Sequence, residues 1–381
     1  MTSETNPTSA TLRLGDPAPW FSGATITGGR VDLHVDAGRW VVLCFLGSLA
    51  SDVSQQVLAE LLSEGAAFKE NHLVFFGVLR EPPPPEVFQM LEPIVGPCLN
   101  FIVDGDGAIS RQYGAEGVNR TVVLDPMLSA VADVRFDDPA GHTDMIRNFI
   151  RTLPAPGDSV GGPLVAPILI IPRVFEFDFC DYLIRLFDEV GGEDSGFMLD
   201  IDGETRTVIN PALKRRQDMV ISDPGLREMM RDRIARRVVP AMERFFRFAP
   251  TRADRYLVSA YTAETGGHFF RHRDDVNVGA RHRRFAMSLG LNKDYEGGGV
   301  VFPEFGPQAY HPPVGGAVIF STGMLHEVQE VTKGRRFVFV PFLYGEADVA
   351  IRVQNNAHLA SGESAYTPGS DLLAALPQAE G

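Results

Sequence analysis

The sequence predicts an α/β domain followed by an α+β domain with a barrel or jelly-roll core. Three observations predict it. Continuous apolar runs at 40–46 and 73–79 flank a stretch of helical periodicity, as buried parallel strands joined by a helix require. Beyond residue 255, short apolar runs recur between glycine-rich turns, the pattern of an antiparallel barrel or jelly roll. Between the two, residues 155–166 (Ala-Pro-Gly-Asp-Ser-Val-Gly-Gly-Pro-Leu-Val-Ala) have the composition of a linker. The resulting expectation is a disordered tail at 1–11, a first domain at 12–154, the linker, a second domain at 167–352 and a C-terminal tail at 353–381.

In the first domain, Trp40-Val-Val-Leu-Cys-Phe-Leu46 reads as a central strand. Ser51, a candidate N-cap, opens a helix to about Glu70. Leu73 to Leu79 is a second buried strand, and a helix through 87–90 follows a proline run. Arg120-Thr-Val-Val-Leu-Asp125 and Ala130 to Arg135 read as a strand pair, and Met145 to Leu153 as a closing helix. In the second domain, 168–171 reads as a strand and 177–190 as a helix with Cys180, Leu183, Ile184 and Phe187 on its apolar face. Residues 200–217 read as a polar loop ending in Lys214-Arg-Arg, a local positive cluster able to steer an acidic or peptide substrate. One long helix is expected over 226–246, with Met229, Ile234, Val238, Met242 and Phe245 turned inward.

The composition sets limits. The chain has 381 residues, enough for two cores, with 44% apolar and 22% charged residues, as in an ordinary globular protein. A formal charge of −14 argues against a general nucleic-acid or anionic-membrane binder. No apolar run reaches the length of a membrane span, and the polar start lacks the order of a signal peptide. Cys44, Cys98 and Cys180 are odd in number and far apart, which argues against a disulfide framework and for a reducing, cytoplasmic setting.

The chemistry concentrates between Tyr261 and Tyr344. Residues two apart on a strand share a face, so His272 and Asp274 of His272-Arg-Asp can reach one point, and His326 from a distant strand can complete the set. Two histidines and one carboxylate on three corners of an octahedron leave three open, the arrangement of non-haem iron(II) oxygenases. Zinc binding to the same three ligands remains chemically open. Around them lie the strand 284–292, the turn Lys293-Asp-Tyr-Glu-Gly-Gly-Gly299, the strand 300–302, the run Pro312 to Phe320 and the strand 335–342. Arg336, ten positions after His326, begins an apolar strand where a charge needs a buried anion, and its planar fork suits a carboxylate.

On these residues, the segment from about 168 to 344 resembles the prolyl-4-hydroxylase branch of the iron(II)/2-oxoglutarate dioxygenases. The resemblance implies a double-stranded β-helix core, with His272, Asp274 and His326 as both metal ligands and catalytic residues. It also implies that Arg336 binds the far carboxylate of 2-oxoglutarate, with Arg335 and Lys333 as alternatives, and that Tyr261 contacts this co-substrate; a plain barrel-wall aromatic remains the other reading of Tyr261. Iron(II), 2-oxoglutarate and L-ascorbate are the implied cofactors. Hydroxylation of a C–H bond in a prolyl or other amino-acid, peptide or protein substrate, with release of succinate and carbon dioxide, is the implied reaction. The strand 285–291 lacks the tyrosine that some relatives place there.

The first domain resembles a thioredoxin-like fold of the peroxiredoxin kind, through Leu14-Gly-Asp-Pro-Ala-Pro19 and the strand from Arg120. Peroxidase chemistry needs a thiolate at the helix start after the first central strand, where this chain has Ser48-Leu-Ala-Ser-Asp-Val53. A domain without peroxidase activity is therefore expected, leaving a partner-docking role or an isolated thiol redox role as alternatives. His268 stands an even number of residues before His272 and is the decoy ligand, expected to be hydrogen-bonded instead. His282, His311 and His358 are assigned to turns or polar flanks, and Asp275 points away from the metal by strand alternation.

Overall fold

The computed structural model describes residues 12–62, 73–135, 139–153, 164–361, 365–366 and 373. Two compact units change over between Val165 and Ala166. The tail at 1–11, most of the expected linker and most of the stretch beyond 361 lie outside the described residues.

The first unit is built on a seven-stranded sheet. Its strands are β1 (Ser22–Thr25), β2 (Arg30–Asp32), β3 (Trp40–Gly47), β4 (Leu73–Leu79), β5 (Leu99–Val103), β6 (Arg120–Leu124) and β7 (Ala130–Arg135), in the order β2-β1-β5-β4-β3-β6-β7. The central β3, β4 and β5 run parallel, while β6 and β7 are antiparallel, which is the thioredoxin-like arrangement. β3 and β4 are buried along nearly their whole length, which explains their uninterrupted apolar text. Short β1 and β2 carry too few residues to stand out by alternation and are absent from the sequence reading. The first helix spans Asp52–Leu62; the expected continuation to 70 falls on residues outside those described. The last helix is Pro139–Arg151, starting six residues ahead of expectation because buried His142 and Thr143 give its first turns a polar reading.

Of the two thiols in this unit, Cys44 is buried as a core residue, whereas Cys98 is half-buried. Cys44 is fully buried in β3, accepts from the Thr121 hydroxyl at 3.3 Å, and is pushed up to about 12 by burial, so no thiolate forms near neutrality. At the turn after β3, where a peroxidatic thiol belongs, the Ser48 hydroxyl donates to Glu81 at 2.6 Å. The full chain with a thiol reductant is expected to consume peroxide no faster than buffer; turnover abolished by Cys98→Ser would overturn this.

His142 gives the same unit a pH dependence. Burial lowers its pKa to about 4, with Glu60 partly offsetting the shift, while its ring lies 3.0 Å from the Thr121 hydroxyl. The unfolded chain takes up a proton near 6.5 and the folded one does not until about 4, so stability is full above 6.5 and falls as pH drops between those values. The chain's two tryptophans, Trp20 and Trp40, lie in this unit and report its unfolding by fluorescence. His142→Gln should flatten the fall between pH 6.5 and 4; an unchanged slope would assign it to other groups.

The second unit contains two antiparallel sheets, the jelly-roll core. A five-stranded sheet runs in the order Lys214–Arg215, His268–His272, His326–Val328, Val300–Val301, Ala309–Tyr310. A ten-stranded sheet includes Leu257–Thr262, Phe285–Gly290, Val331–Phe339 and Ala317–Ser321. The helix Phe177–Val190 packs Cys180, Leu183 and Phe187 against Met287, Leu289, Phe337 and Phe339 of the larger sheet. Burial raises the Cys180 thiol to about 12, consistent with a core role.

Three expectations need correction here. The single helix over 226–246 is two, Pro224–Arg237 and Val239–Phe246, because Pro240 lacks the amide that would continue the ladder. Its inward stripe is Met230, Ile234, Val238 and Met242, spaced four apart; Met229 and Phe245 are one position off that line and are exposed. The polar loop at 200–217 contains a hairpin, Phe197–Ile201 with Glu204–Val208, turned by Asp202 and Gly203 at φ +54° and +82°. That Asp-Gly pair is a hairpin signal the sequence reading passed over. The C-terminal tail starts too early, since a helix runs Val349–Asn355 and Tyr366 and Leu373 are buried. No helix among the described residues is long and apolar enough to cross a membrane.

Candidate metal centre

His272 and His326 are direct cross-strand partners in the five-stranded sheet. The register passes from Phe269 opposite Val328 to His272 opposite His326, three residues on one strand against two on the other, so a bulge lies between. The bulge reverses the parity of alternation. Phe269, three residues away, thereby stacks on His272 at 3.6 Å between ring centres, and His268 turns aside with both ring nitrogens against the Gly266 and Ala212 carbonyls. The decoy is excluded by the bulge, which sequence spacing does not reveal. Asp274 follows the strand, its amide donating to Thr322 O at 3.0 Å.

The ligand atoms converge. The Nε2 atoms of His272 and His326 lie 3.6 and 3.4 Å from the two oxygens of Asp274. Two ligands at right angles on bonds of ~2.1 Å sit ~3 Å apart, so a small relaxation would serve one ion. Each Nδ1 donates to a backbone carbonyl, His272 to Phe270 O at 2.7 Å and His326 to Met324 O at 3.1 Å. Those bonds fix the tautomer and leave both Nε2 lone pairs on the shared point. Burial, reinforced by the neighbouring His326, lowers His272 to about 3, so its imidazole is neutral at ordinary pH, the form a metal ion takes. Burial alone would raise Asp274, but His326, His272, Arg283 and Arg255 hold it below the usual carboxylate range. Among the described residues, these three form the only cluster with metal-ligand spacing, and the donor set suits iron(II) with open positions. Asp275 instead faces the Thr322 hydroxyl at 3.4 Å, away from the cluster as expected.

Arg336 is 1% exposed on the strand Val331–Phe339, opposite Tyr261. Its guanidinium lies 5.1 Å from the Tyr261 ring centre and donates to the Ser288 hydroxyl at 3.2 Å, while its Nε has no partner. Ser288 occupies the strand where the expected tyrosine is missing. A buried cation with a free donor fits the far carboxylate of 2-oxoglutarate. The alternatives are otherwise engaged on the surface, Arg335 with Asp188 and Lys333 with Glu296. Tyr261 is buried, with its hydroxyl 3.4 Å from Arg216, so the two arginines share its ring. The turn before Arg336's neighbours requires glycine. Gly298 has φ +66°, and a Cβ there would lie 2.8 Å from the Arg336 Cδ. Gly298→Ala should displace Arg336 and weaken 2-oxoglutarate binding several-fold, read as KM, with the metal content retained.

Several contributors escaped the sequence reading. Arg283 donates to the Asp274 carbonyl at 3.3 Å, and burial lowers its pKa to about 10. Arg216 forms a buried pair with Asp218 at 2.7 Å, and Ser259 donates to the same carboxylate. His282 lies in a turn, as expected, but is buried there, 3.2 Å from Asp254, with Asn355 on its other nitrogen. Only pairing across strands assembles these sets.

Residues 256–344 match the family model of the 2OG-Fe(II) oxygenase superfamily. PKHD-type hydroxylases from two Synechococcus strains are 28% identical over 130 residues, which is 31% of this chain and 57% of theirs. The chain thus spans a little over half the length of the curated relatives it matches. A prolyl-4-hydroxylase of Pseudomonas putida is 17% identical, covering 48% of this chain and 94% of that one at a TM-score of 0.37. A peroxiredoxin Q of Xanthomonas campestris is 21% identical, covering 38% and 98% at a TM-score of 0.31. Both histidines, Asp274 and Arg336 lie within the segment that matches the 2OG-Fe(II) oxygenase superfamily model.

Proposed function

We propose that this protein is an iron(II)- and 2-oxoglutarate-dependent dioxygenase that hydroxylates a C–H bond of an amino-acid side chain, prolyl among the candidates, releasing succinate and carbon dioxide. The observation that carries the reading is the convergence of two imidazole Nε2 atoms and one carboxylate beside a buried arginine with a free donor. His272, Asp274 and His326 would hold the metal. Bound there, iron(II) supplies the dioxygen chemistry that couples oxidative decarboxylation of the co-substrate to hydroxylation.

The chain's own residues have separate tasks. The two backbone carbonyls keep the imidazole protons off the metal side, and Arg283 fixes the Asp274 backbone. Arg336 orients the co-substrate, Ser288 aims Arg336, and the Tyr261 ring walls the pocket against water. L-Ascorbate is assigned as an accessory reductant. The thioredoxin-like unit, with Cys44 buried and a serine-bearing turn where a reactive thiol would stand, serves as a docking module for the protein or peptide substrate.

Anaerobic titration tests the reading. A visible charge-transfer band must require iron(II) and 2-oxoglutarate together, and succinate must accumulate on admitting oxygen. Zinc bound without that band would leave a metal-binding protein of another kind.

A further inference from the structure

Three cations around Asp274 form no direct ion pair with a carboxylate among the described residues. Lys214 is 3% exposed at the edge of the five-stranded sheet; its ammonium makes one hydrogen bond, to Gly196 O at 2.6 Å, and lies 4.6 Å from the Phe269 ring centre. Phe269 stacks on His272 at 3.6 Å, which puts the ammonium within about 8 Å of that imidazole. Arg255, half-buried, is held at φ +57° and rests 5.8 Å from the Phe342 ring centre, with no hydrogen bond or ion pair to any described residue. Arg283 covers the same ring at 4.0 Å, and its Nε has no partner. Lys214 and Arg283 each feel both Arg255 and Asp274 electrostatically; Lys214 also feels Asp218, and Arg283 feels Asp254, carboxylates that are already paired with Arg216 and with His282 and Arg352.

Such a grouping is unfavourable by itself. Like charges repel, and burying a charge without a counter-ion is expensive. A side chain with a Cβ also resists left-handed backbone, as at Arg255. The chain does not lack acids, since its formal charge is −14, and the neighbouring Arg216 has been given Asp218. Asp274 is committed to the metal, and 2-oxoglutarate has Arg336. No described carboxylate of the chain pairs with Lys214 or Arg255, so the group is complete once an anion from outside joins it.

We propose that the molecule hydroxylated here is an acid, its carboxylate held by Lys214 and Arg255 while Arg283 adds charge and fixes Asp274. The inference rests on the oxygenase reading and narrows its substrate to the acidic class. A small amino-acid derivative and an acidic side chain in a peptide offer the same group.

The test uses the full chain loaded anaerobically with iron(II) and 2-oxoglutarate. Two panels are added, N-acetyl amino acids and capped tripeptides, each acidic member paired with its amide. Perturbation of the charge-transfer band and stimulation of succinate release are recorded. Responses should be confined to acidic members, and the panel that responds identifies the source of the carboxylate. Lys214→Met keeps the aliphatic stem on Phe269, and Arg255→Gly relieves the left-handed backbone, so neither should unfold the protein. Each should weaken the acid response at least tenfold, and Lys214→Arg should restore most of it. Calorimetric binding of the responsive acid to the metal-free protein gives a readout independent of turnover. Amides acting as well as acids, acid responses unchanged in both variants, or no member responding although the band forms would each overturn the proposal. Failure of the band itself would strike the oxygenase reading instead.

Discussion

Asp274→Ala protein is expected to retain no iron(II) after desalting and to show no charge-transfer band with 2-oxoglutarate. The carboxylate lies within 3.4–3.6 Å of both Nε2 atoms and is the only anionic member of the set. Without it, only two imidazoles face a divalent cation among Arg283, Arg255 and Lys214, and the local field repels the ion. Losing an outer partner of a metal ligand costs ~10–100-fold, and losing the charged ligand itself should exceed that. The fold should survive, because the Asp274 amide and carbonyl keep their bonds to Thr322 and Arg283. Melting temperature should nevertheless fall modestly, since the nearby cations lose one of the negative charges that act on them. Metal analysis alongside far-ultraviolet circular dichroism checks both halves. Stoichiometric iron in a folded Asp274→Ala protein would remove this residue from the centre.

The sequence disclosed those elements whose burial is uniform. β3 and β4 are apolar along their length because both faces are covered, and the helix Phe177–Val190 shows its stripe at the right period. The metal set was readable because a His-x-Asp pair and the distant His326 sit among framework turns whose glycines are themselves constrained, as at Gly298. What stayed hidden depends on pairing between remote strands. The bulge that stacks Phe269 on His272 and turns His268 away is a property of the register with His326–Val328, and nothing local encodes it. The same holds for Ser288 under Arg336 and for the Arg216–Asp218 pair beside Tyr261. The two-helix break was local and legible in Pro240, and the hairpin at 197–208 was legible in Asp202-Gly203. There the residues were present and polarity was allowed to outweigh turn chemistry.

Arg336→Ala should raise the dissociation constant for 2-oxoglutarate by about 10- to 150-fold, since a charge-assisted pair contributes ~1.5–3 kcal/mol. At saturating co-substrate the rate should recover to within a few-fold, because the arginine is placed at the far carboxylate and not at the metal. Arg336→Lys should fall between, keeping the charge but losing the planar fork. Stability argues in the same direction. Arg336 is 1% exposed and bonds only the Ser288 hydroxyl, so in the absence of ligand its burial is a cost that alanine removes. The metal-free variant should therefore melt no lower than the parent, while the stabilisation that added 2-oxoglutarate gives the parent should shrink. Arg335→Ala is the control; its partner is Asp188 on an exposed surface, and its loss should leave co-substrate affinity unchanged. If Arg335→Ala weakens 2-oxoglutarate binding and Arg336→Ala does not, the buried arginine is structural, paired with Tyr261 and Ser288 for packing alone, and the co-substrate lies elsewhere.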